Sequence, residues 1–279
     1  MVPVAMSIMM AVAAQGGAGA AAAAPASTPA KGSVNVPAQS ERAAATYPYR
    51  LVEPSEAALK AEKSGRLPLV VFLHGSGERG ADNEAQLKHF AGDTATEAFQ
   101  AKHPCFVLAV QCPADERWAD ITRGADGNPN WGAGLQTKAE PTRALRAVEL
   151  ALDEVMRTKP VDVDRVYLTG LSMGGFGSFD LAVRGPGRFA ALVSVCGGGD
   201  PARAEALRAL PVMVAHGIDD PVVPIACRRA MVEAIRAAGG SVTVREYPGV
   251  GHDAWTRAYT DADDGVLAWM FAQRRRGKQ

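Results

Sequence analysis

The 279-residue chain has no excess of either charge, with 30 Lys and Arg against 30 Asp and Glu. No net field draws it to nucleic acid or to an anionic membrane surface, so neither is expected as a partner. Cysteine is scarce: Cys105, Cys112, Cys196 and Cys227 form no C-x-x-C pair and do not cluster with histidine. That scarcity argues against a metal site of familiar spacing, and no metal is expected. Cys105 and Cys112 bracket the apolar run Phe106 to Val110, and a strand of that length holds them too far apart to bridge. Cys105 and Cys196 read as free core thiols, while Cys112 and Cys227 stay open to a bridge in an oxidising compartment. Beyond the N-terminal stretch, no apolar run approaches the roughly 18 to 20 residues of a membrane-crossing helix. Both G-x-x-x-x-G-K-[ST] and a full G-x-G-x-x-G are missing, so nucleotide binding is not expected, and the chemistry read from the residues below needs no cofactor.

What is present begins with a segment unlike the rest. Residues 1 to about 40 run from an apolar start, Val2 to Val12, through a long Ala run to Pro25, Ser27, Thr28, Pro29 and Pro37. An apolar stretch followed by small residues such as Ala22-Ala23-Ala24 and a Pro/Ser/Ala-rich linker has the order of a secretory signal peptide, although no basic residue precedes it. The expectation is a signal and disordered linker over residues 1–40, an exported protein in the periplasm or medium, and a folded domain over residues 47–275.

In that domain short β-branched or aromatic runs alternate with amphipathic stretches, which means α/β. Strands are expected at Tyr49 to Val52, Leu69 to Leu73, Phe106 to Val110, Arg165 to Thr169, Ala191 to Val195, Val212 to Ala215 and Val242 to Tyr247. Several are apolar at every position, as in a mostly parallel central sheet with helices on both faces. Helices are expected over about Thr142 to Arg157, Ala226 to Ala238 and Val266 to Ala272, from apolar residues at helical spacing. The stretch from Ala114 to Glu140 has no periodicity and reads as a long excursion that contributes to a substrate rim.

The chemistry gathers around one serine. Arg165-Val166-Tyr167-Leu168-Thr169 runs into Gly170-Leu171-Ser172-Met173-Gly174-Gly175 and then into helix-compatible residues up to about Val183. This is strand, G-x-S-x-G, helix, the context in which a sharp turn exposes a nucleophilic hydroxyl above a sheet. A hydroxyl needs a base to take its proton, and there are only five histidines. His252 follows a strand within the glycine-rich Pro248-Gly249-Val250-Gly251-His252 and comes last in the order serine, acid, histidine. The acid is Asp220 or its neighbour Asp219, both of which follow the strand Val212 to Ala215 and precede Pro221. The oxyanion donors expected are the backbone N–H of Met173, after the nucleophile, and of Ser76, in the loop His74-Gly75-Ser76-Gly77-Glu78-Arg79-Gly80. Glu78 and Arg79 read as an ion pair bracing that loop. Trp118, Trp131 and Trp255 are candidates to line the substrate pocket, with Trp255, close to His252, the strongest.

Those segments, with Pro104-Cys105-Phe106-Val107-Leu108-Ala109, His216-Gly217, Asp220, Pro224 and Gly251-His252-Asp253, resemble the α/β-hydrolase group of predicted peptidases. That group is similar to the polyhydroxybutyrate-depolymerase and feruloyl or acetylxylan esterase branch. The resemblance covers about Tyr47 to Arg274, places the acid on Asp220, and implies an α/β-hydrolase fold without cofactor. It also implies an exported enzyme acting on a small-molecule or polymer ester. The function expected is a serine hydrolase with Ser172, Asp220 and His252 as its triad. A serine peptidase and a non-catalytic polymer-binding relative are the alternatives. The stretch Gly124 to Gly134 departs from the pattern and leaves substrate choice open.

Overall fold

The computed structural model describes residues 28–38, 43–122, 125, 135, 138–260 and 265–275. Its strands are β1 (Ala30–Val36), β2 (Ala45–Val52), β3 (Leu67–Leu73), β4 (Phe106–Val110), β5 (Val161–Leu171), β6 (Ala191–Val195), β7 (Val212–Gly217) and β8 (Val242–Tyr247). They make one sheet in the order β1-β2-β4-β3-β5-β6-β7-β8, in which β1, β2 and β4 are antiparallel and β4 through β8 parallel. The mostly parallel sheet expected from the fully apolar runs is therefore present. On β3, Leu67, Leu69, Val71 and Leu73 enter one core while Val70 and Phe72 enter the other. A strand apolar at every position suits a sheet covered on both faces.

The helices are α1 (Glu56–Ala61), α2 (Glu97–Lys102), α3 (Arg143–Thr158), α4 (Met173–Arg184), α5 (Ile225–Ala237), α6 (Ala254–Thr260) and α7 (Leu267–Phe271). The first core takes its helical residues from α3, α4 and α5, and the second from α6 and α7 with Phe90 and Ala91. In α3 the Thr142 hydroxyl accepts the Leu145 N–H at 3.1 Å as a cap. Leu145, Val148, Leu152 and Val155 are buried along one side.

The sheet begins earlier than expected. β1 lies within the first 40 residues, assigned above to signal and linker, and pairs with β2 along its whole seven-residue length. Its alternation buries Val34 and Val36 and leaves Ser33 and Asn35 outside the core, and four such residues carry too little period to stand out in a Pro- and Ala-rich context. The buried Arg50 ties this edge down by donating to the Pro29 carbonyl at 2.8 Å and the Asn83 carbonyl at 2.7 Å, with Glu84 as its ion partner. The sheet thus takes in β1, ahead of the start at residue 47 expected for the folded domain. Of the excursion after Ala114, Ala119 and Leu135 pack with Phe176 of α4 and Val223, and Ile121 bridges Leu135. Apart from Ala125, the stretch Gly124 to Gly134, with Trp131, lies outside the described residues.

Burying a carboxylate at Val36, which is fully enclosed, is expected to lower the unfolding free energy of Val36→Asp by about 3 kcal/mol or more, read from urea midpoints at neutral pH. An unchanged midpoint would show that β1 contributes nothing to the domain.

Candidate active site

β5 ends at Leu171 and α4 begins at Met173, so Ser172 alone makes the turn between them. Its backbone sits at φ 52°, ψ −118°, a conformation a serine adopts only under constraint. The constraint is the close approach of α4 to the sheet. A side chain at Gly174 would run into the carbonyls of Leu73 and His74, and one at Gly170 into the carbonyl of Gly174. The Ser172 N–H donates to the Val195 carbonyl at 2.9 Å, fastening the turn to β6.

Two further loops, each following a strand at the same end of the sheet, meet Ser172. The Ile218 N–H donates to the Tyr247 carbonyl at 3.0 Å and the Asp219 N–H to the Val250 carbonyl at 3.1 Å. These bonds zip the loop after β7 to the loop after β8 and bring together residues 32 apart in sequence. His252 Nε2 lies 2.9 Å from Ser172 Oγ, and its Nδ1 lies 2.7 Å from Asp220 Oδ2. With Asp220 ionised, the ring carries its proton on Nδ1, and Nε2 accepts the serine hydroxyl. Asp220 Oδ1 accepts the N–H groups of Val222 at 2.8 Å and Val223 at 2.9 Å. Burial pushes its carboxyl upward, but the hydrogen bonds from His252, Val223 and Val222 outweigh burial and hold it below the usual carboxylate range. Asp219 is exposed and points its backbone, not its carboxylate, into this network. The geometry therefore separates two neighbours that spacing alone left open.

The loop after β3 abuts the same turn. A side chain at Gly75 would meet Leu171 Cδ1 at 2.8 Å, so the chain bearing Ser76 passes directly beside the elbow. Ser76 is exposed and opens a short 3-10 turn over Ser76–Glu78. Met173 opens α4, where the first N–H groups have no intrahelical acceptor and the helix end favours negative charge. From inside, the loop is held by His74. That ring is buried, its Nδ1 is 2.7 Å from the Gly75 carbonyl, and its Nε2 accepts the Cys112 N–H at 3.0 Å. Burial lowers its pKa to about 4 despite the Gly75 bond, so this histidine is neutral.

Trp118 is corrected. It is fully buried, its Nε1 donates to the His74 carbonyl at 2.9 Å, and its ring meets His74 edge-on at 5.0 Å. It braces the loop instead of facing a substrate. Indole in this sequence context gives no sign of which side it takes, since a pocket wall and a core plug have the same composition. Trp255 is half-buried, with its ring 5.1 Å from His252 and 5.5 Å from His89. The expected Glu78–Arg79 pair is absent: the buried Glu78 faces His89, Oε1 to Nε2 3.4 Å, while Arg79 donates to the carbonyls of Ser76 and Ala114. His89, from an unremarkable segment at φ 67°, is a member of the site's surroundings that the motifs did not flag.

All four cysteines are free thiols, so the bridges left open for Cys112 and Cys227 are not formed. Cys196, His216 and Asp220 place ligand-type atoms within 4.8 Å of one another. Burial pushes the Cys196 thiol up to about 12, so it keeps its proton, and the His216 nitrogen nearest Asp220 also faces the Val223 carbonyl. The Cys196 thiol and His216 Nε2 thus face Asp220 as hydrogen-bond donors. A cavity of about 900 Å³ among Leu51, Ala58, Leu67 and Pro104 lies at the opposite end of the strands and takes no residue from the site.

A family model described as phospholipase/carboxylesterase matches residues 55–269. A solved thermostable esterase is 34% identical with a TM-score of 0.72, covering 87% of this chain and 63% of that one. A ferulic acid esterase structure, 15% identical with a TM-score of 0.58 and covering 87% of this chain and 98% of that one, shares the fold. NocK of Nocardia uniformis subsp. tsuyamanensis, which carries an esterase label, is 29% identical over 182 residues, 64% of this chain and 46% of its own. The chain thus spans about half the length of that curated relative. The matched stretch runs from the cap of α1 into α7 and includes Ser172, Asp220 and His252, and on that match the chain belongs to the phospholipase/carboxylesterase family of α/β-hydrolases.

Proposed function

We propose that the protein hydrolyses carboxylic esters through an acyl-serine intermediate. The observation that carries this reading is the unbroken hydrogen-bonded chain Ser172–His252–Asp220 at the elbow between β5 and α4. Ser172 Oγ attacks the ester carbonyl carbon while its proton passes to His252 Nε2. The tetrahedral oxyanion is held by the N–H groups of Met173 and Ser76. His252 then gives its proton to the departing alkoxide oxygen as the C–O bond breaks, leaving the acyl group on Ser172. A water molecule repeats the sequence, with His252 taking its proton, and releases the acid and the free serine. Asp220 stays ionised throughout, orients the ring and stabilises the imidazolium.

Trp255, beside His252, forms one wall of the substrate site. The substrate class proposed is an ester carried on a carbohydrate or polymer, in line with the motif resemblance, and the site of action is outside the cytoplasm. The apolar N-terminal stretch followed by small residues supports export.

Ser172→Ala is expected to lower kcat/KM for short-chain p-nitrophenyl esters by about 10³-fold or more with an unchanged circular dichroism spectrum. Turnover within a few-fold of the parent sinks the nucleophile assignment. The same protein serves as the blank in a panel of acetylated xylan, feruloylated sugar, polyhydroxybutyrate and peptides, where peptide hydrolysis alone would overturn the ester reading.

Asp220→Asn is expected to cost about 10³ to 10⁴ in kcat, and Asp219→Asn less than about threefold. The reverse order would move the acid to Asp219. Because the Asp220 carboxyl is held below its ordinary value, its contribution to stability is present above that ordinary value and is lost as pH falls through the folded one. Acid unfolding of Asp220→Asn should therefore depend less on pH below about 4 than that of the parent.

N-terminal sequencing of protein recovered from the periplasm or medium of a producing cell should show a start after the Ala22-Ala23-Ala24 region and before β1. Protein found only in the cytoplasm and beginning at Met1 contradicts export.

A further inference from the structure

His252 is not the only histidine on Asp220. His216, near the end of β7, is fully buried, with Nε2 2.9 Å from the Val223 carbonyl and 3.2 Å from Asp220 Oδ2. Both neighbours are acceptors, so the ring proton sits on Nε2 and is shared between them. The other ring nitrogen, Nδ1, is then a bare acceptor, buried without a partner among the described residues. Burial pulls the ring's pKa down against the opposing influence of Val223 and Asp220, and the ring is uncharged. A leucine or phenylalanine would fill this space without stranding a nitrogen, so packing alone does not account for a histidine here. What the ring uniquely supplies is an N–H aimed at the same carboxylate oxygen that His252 uses.

The remaining groups around this ring do not supply that donor at the same place. Arg228 of α5 faces His216 but is engaged with Glu246 of β8. Cys196, held at φ 48° just after β6, brings a protonated thiol, not an N–H, to the Asp220 carboxylate. Val222 and Val223 occupy Oδ1.

We propose that His216 is a positioning residue for the proposed hydrolysis: its Nε2–H clamps Asp220 Oδ2, fixes the plane of the carboxylate and moderates the charge that His252 feels. The proposal rests on the reading of Ser172, His252 and Asp220 as the working triad. A carboxylate oxygen accepting two N–H groups divides its charge between them. Without the second donor, more of that charge falls on His252, and its protonated form persists to higher pH. A merely space-filling ring would have no such effect.

The test is the pH dependence of kcat/KM for p-nitrophenyl acetate in the parent, His216→Gln, His216→Asn and His216→Phe, with Ser172→Ala as blank. Glutamine can place its amide nitrogen where Nε2 was; asparagine reaches only the Nδ1 position. The expected result is an acidic limb moved up by about half a pH unit in H216N and H216F, with kcat/KM at pH 7 down about tenfold, and a limb returned to the parent position in H216Q. The low-field proton resonance of His252 Nδ1–H should shift in H216N and stay near its parent position in H216Q. A limb that stays put or moves down in H216N, or H216Q behaving like H216N, overturns the proposal. If H216F does not fold, the comparison of H216N with H216Q decides alone. Full activity in Ser172→Ala would instead bring down the underlying triad reading, an outcome distinct from either result at His216.

Discussion

The backbone at Ser172 is bent into a left-handed conformation that costs of order 1 to 3 kcal/mol, and the rest of the site depends on that bend being enforced. Enforcement comes from packing. α4 lies so close to β3 and β5 that Gly170 and Gly174 tolerate no side chain, and β6 takes the serine's own N–H. β3 and β6 are buried at every position and β5 is buried from Val166 onward, so the cost is borne by a core with both faces covered. In return, the serine hydroxyl stands clear of the sheet with the first N–H groups of a helix behind it.

Around that bend, buried polar groups are arranged to keep their neighbours in one state. His74 is neutral because it is buried, and its two nitrogens hold the loop after β3 against the segment at Cys112. Trp118 closes the back of the same loop. His216 is neutral for the same reason and turns its single N–H toward Val223 and Asp220. Asp220 gathers donors until ionisation becomes the favoured state despite its burial. Three of the chain's five histidines thus take different roles, set by how much solvent each sees and by what each nitrogen meets.

Parts of this were legible in order and spacing. The strand, the glycines flanking Ser172 and the helix after it declare a turn, because only glycine allows such close backbone approach. The run of β3 declares a strand buried on both faces, because it is apolar at every position. β1 was not legible: its alternation spans too few residues, and the Pro- and Ala-rich stretch before it resembles a linker. Trp118 was misread because composition does not say which way a ring points, and the partner of Glu78 proved to be His89, eleven positions away, instead of the adjacent Arg79.

By itself, then, the sequence determined the α/β alternation, the elbow at Ser172 and the order in which an acid and a histidine follow it, since these depend on local backbone preference and hydrophobic period. Tertiary structure decided which of two adjacent aspartates, left open by spacing and separated before only by family resemblance, reaches His252, and it alone decided which tryptophan is core and that His216 joins the acid from behind. These depend on contacts between segments far apart in the chain, where a difference of one residue turns a side chain from the site into solvent.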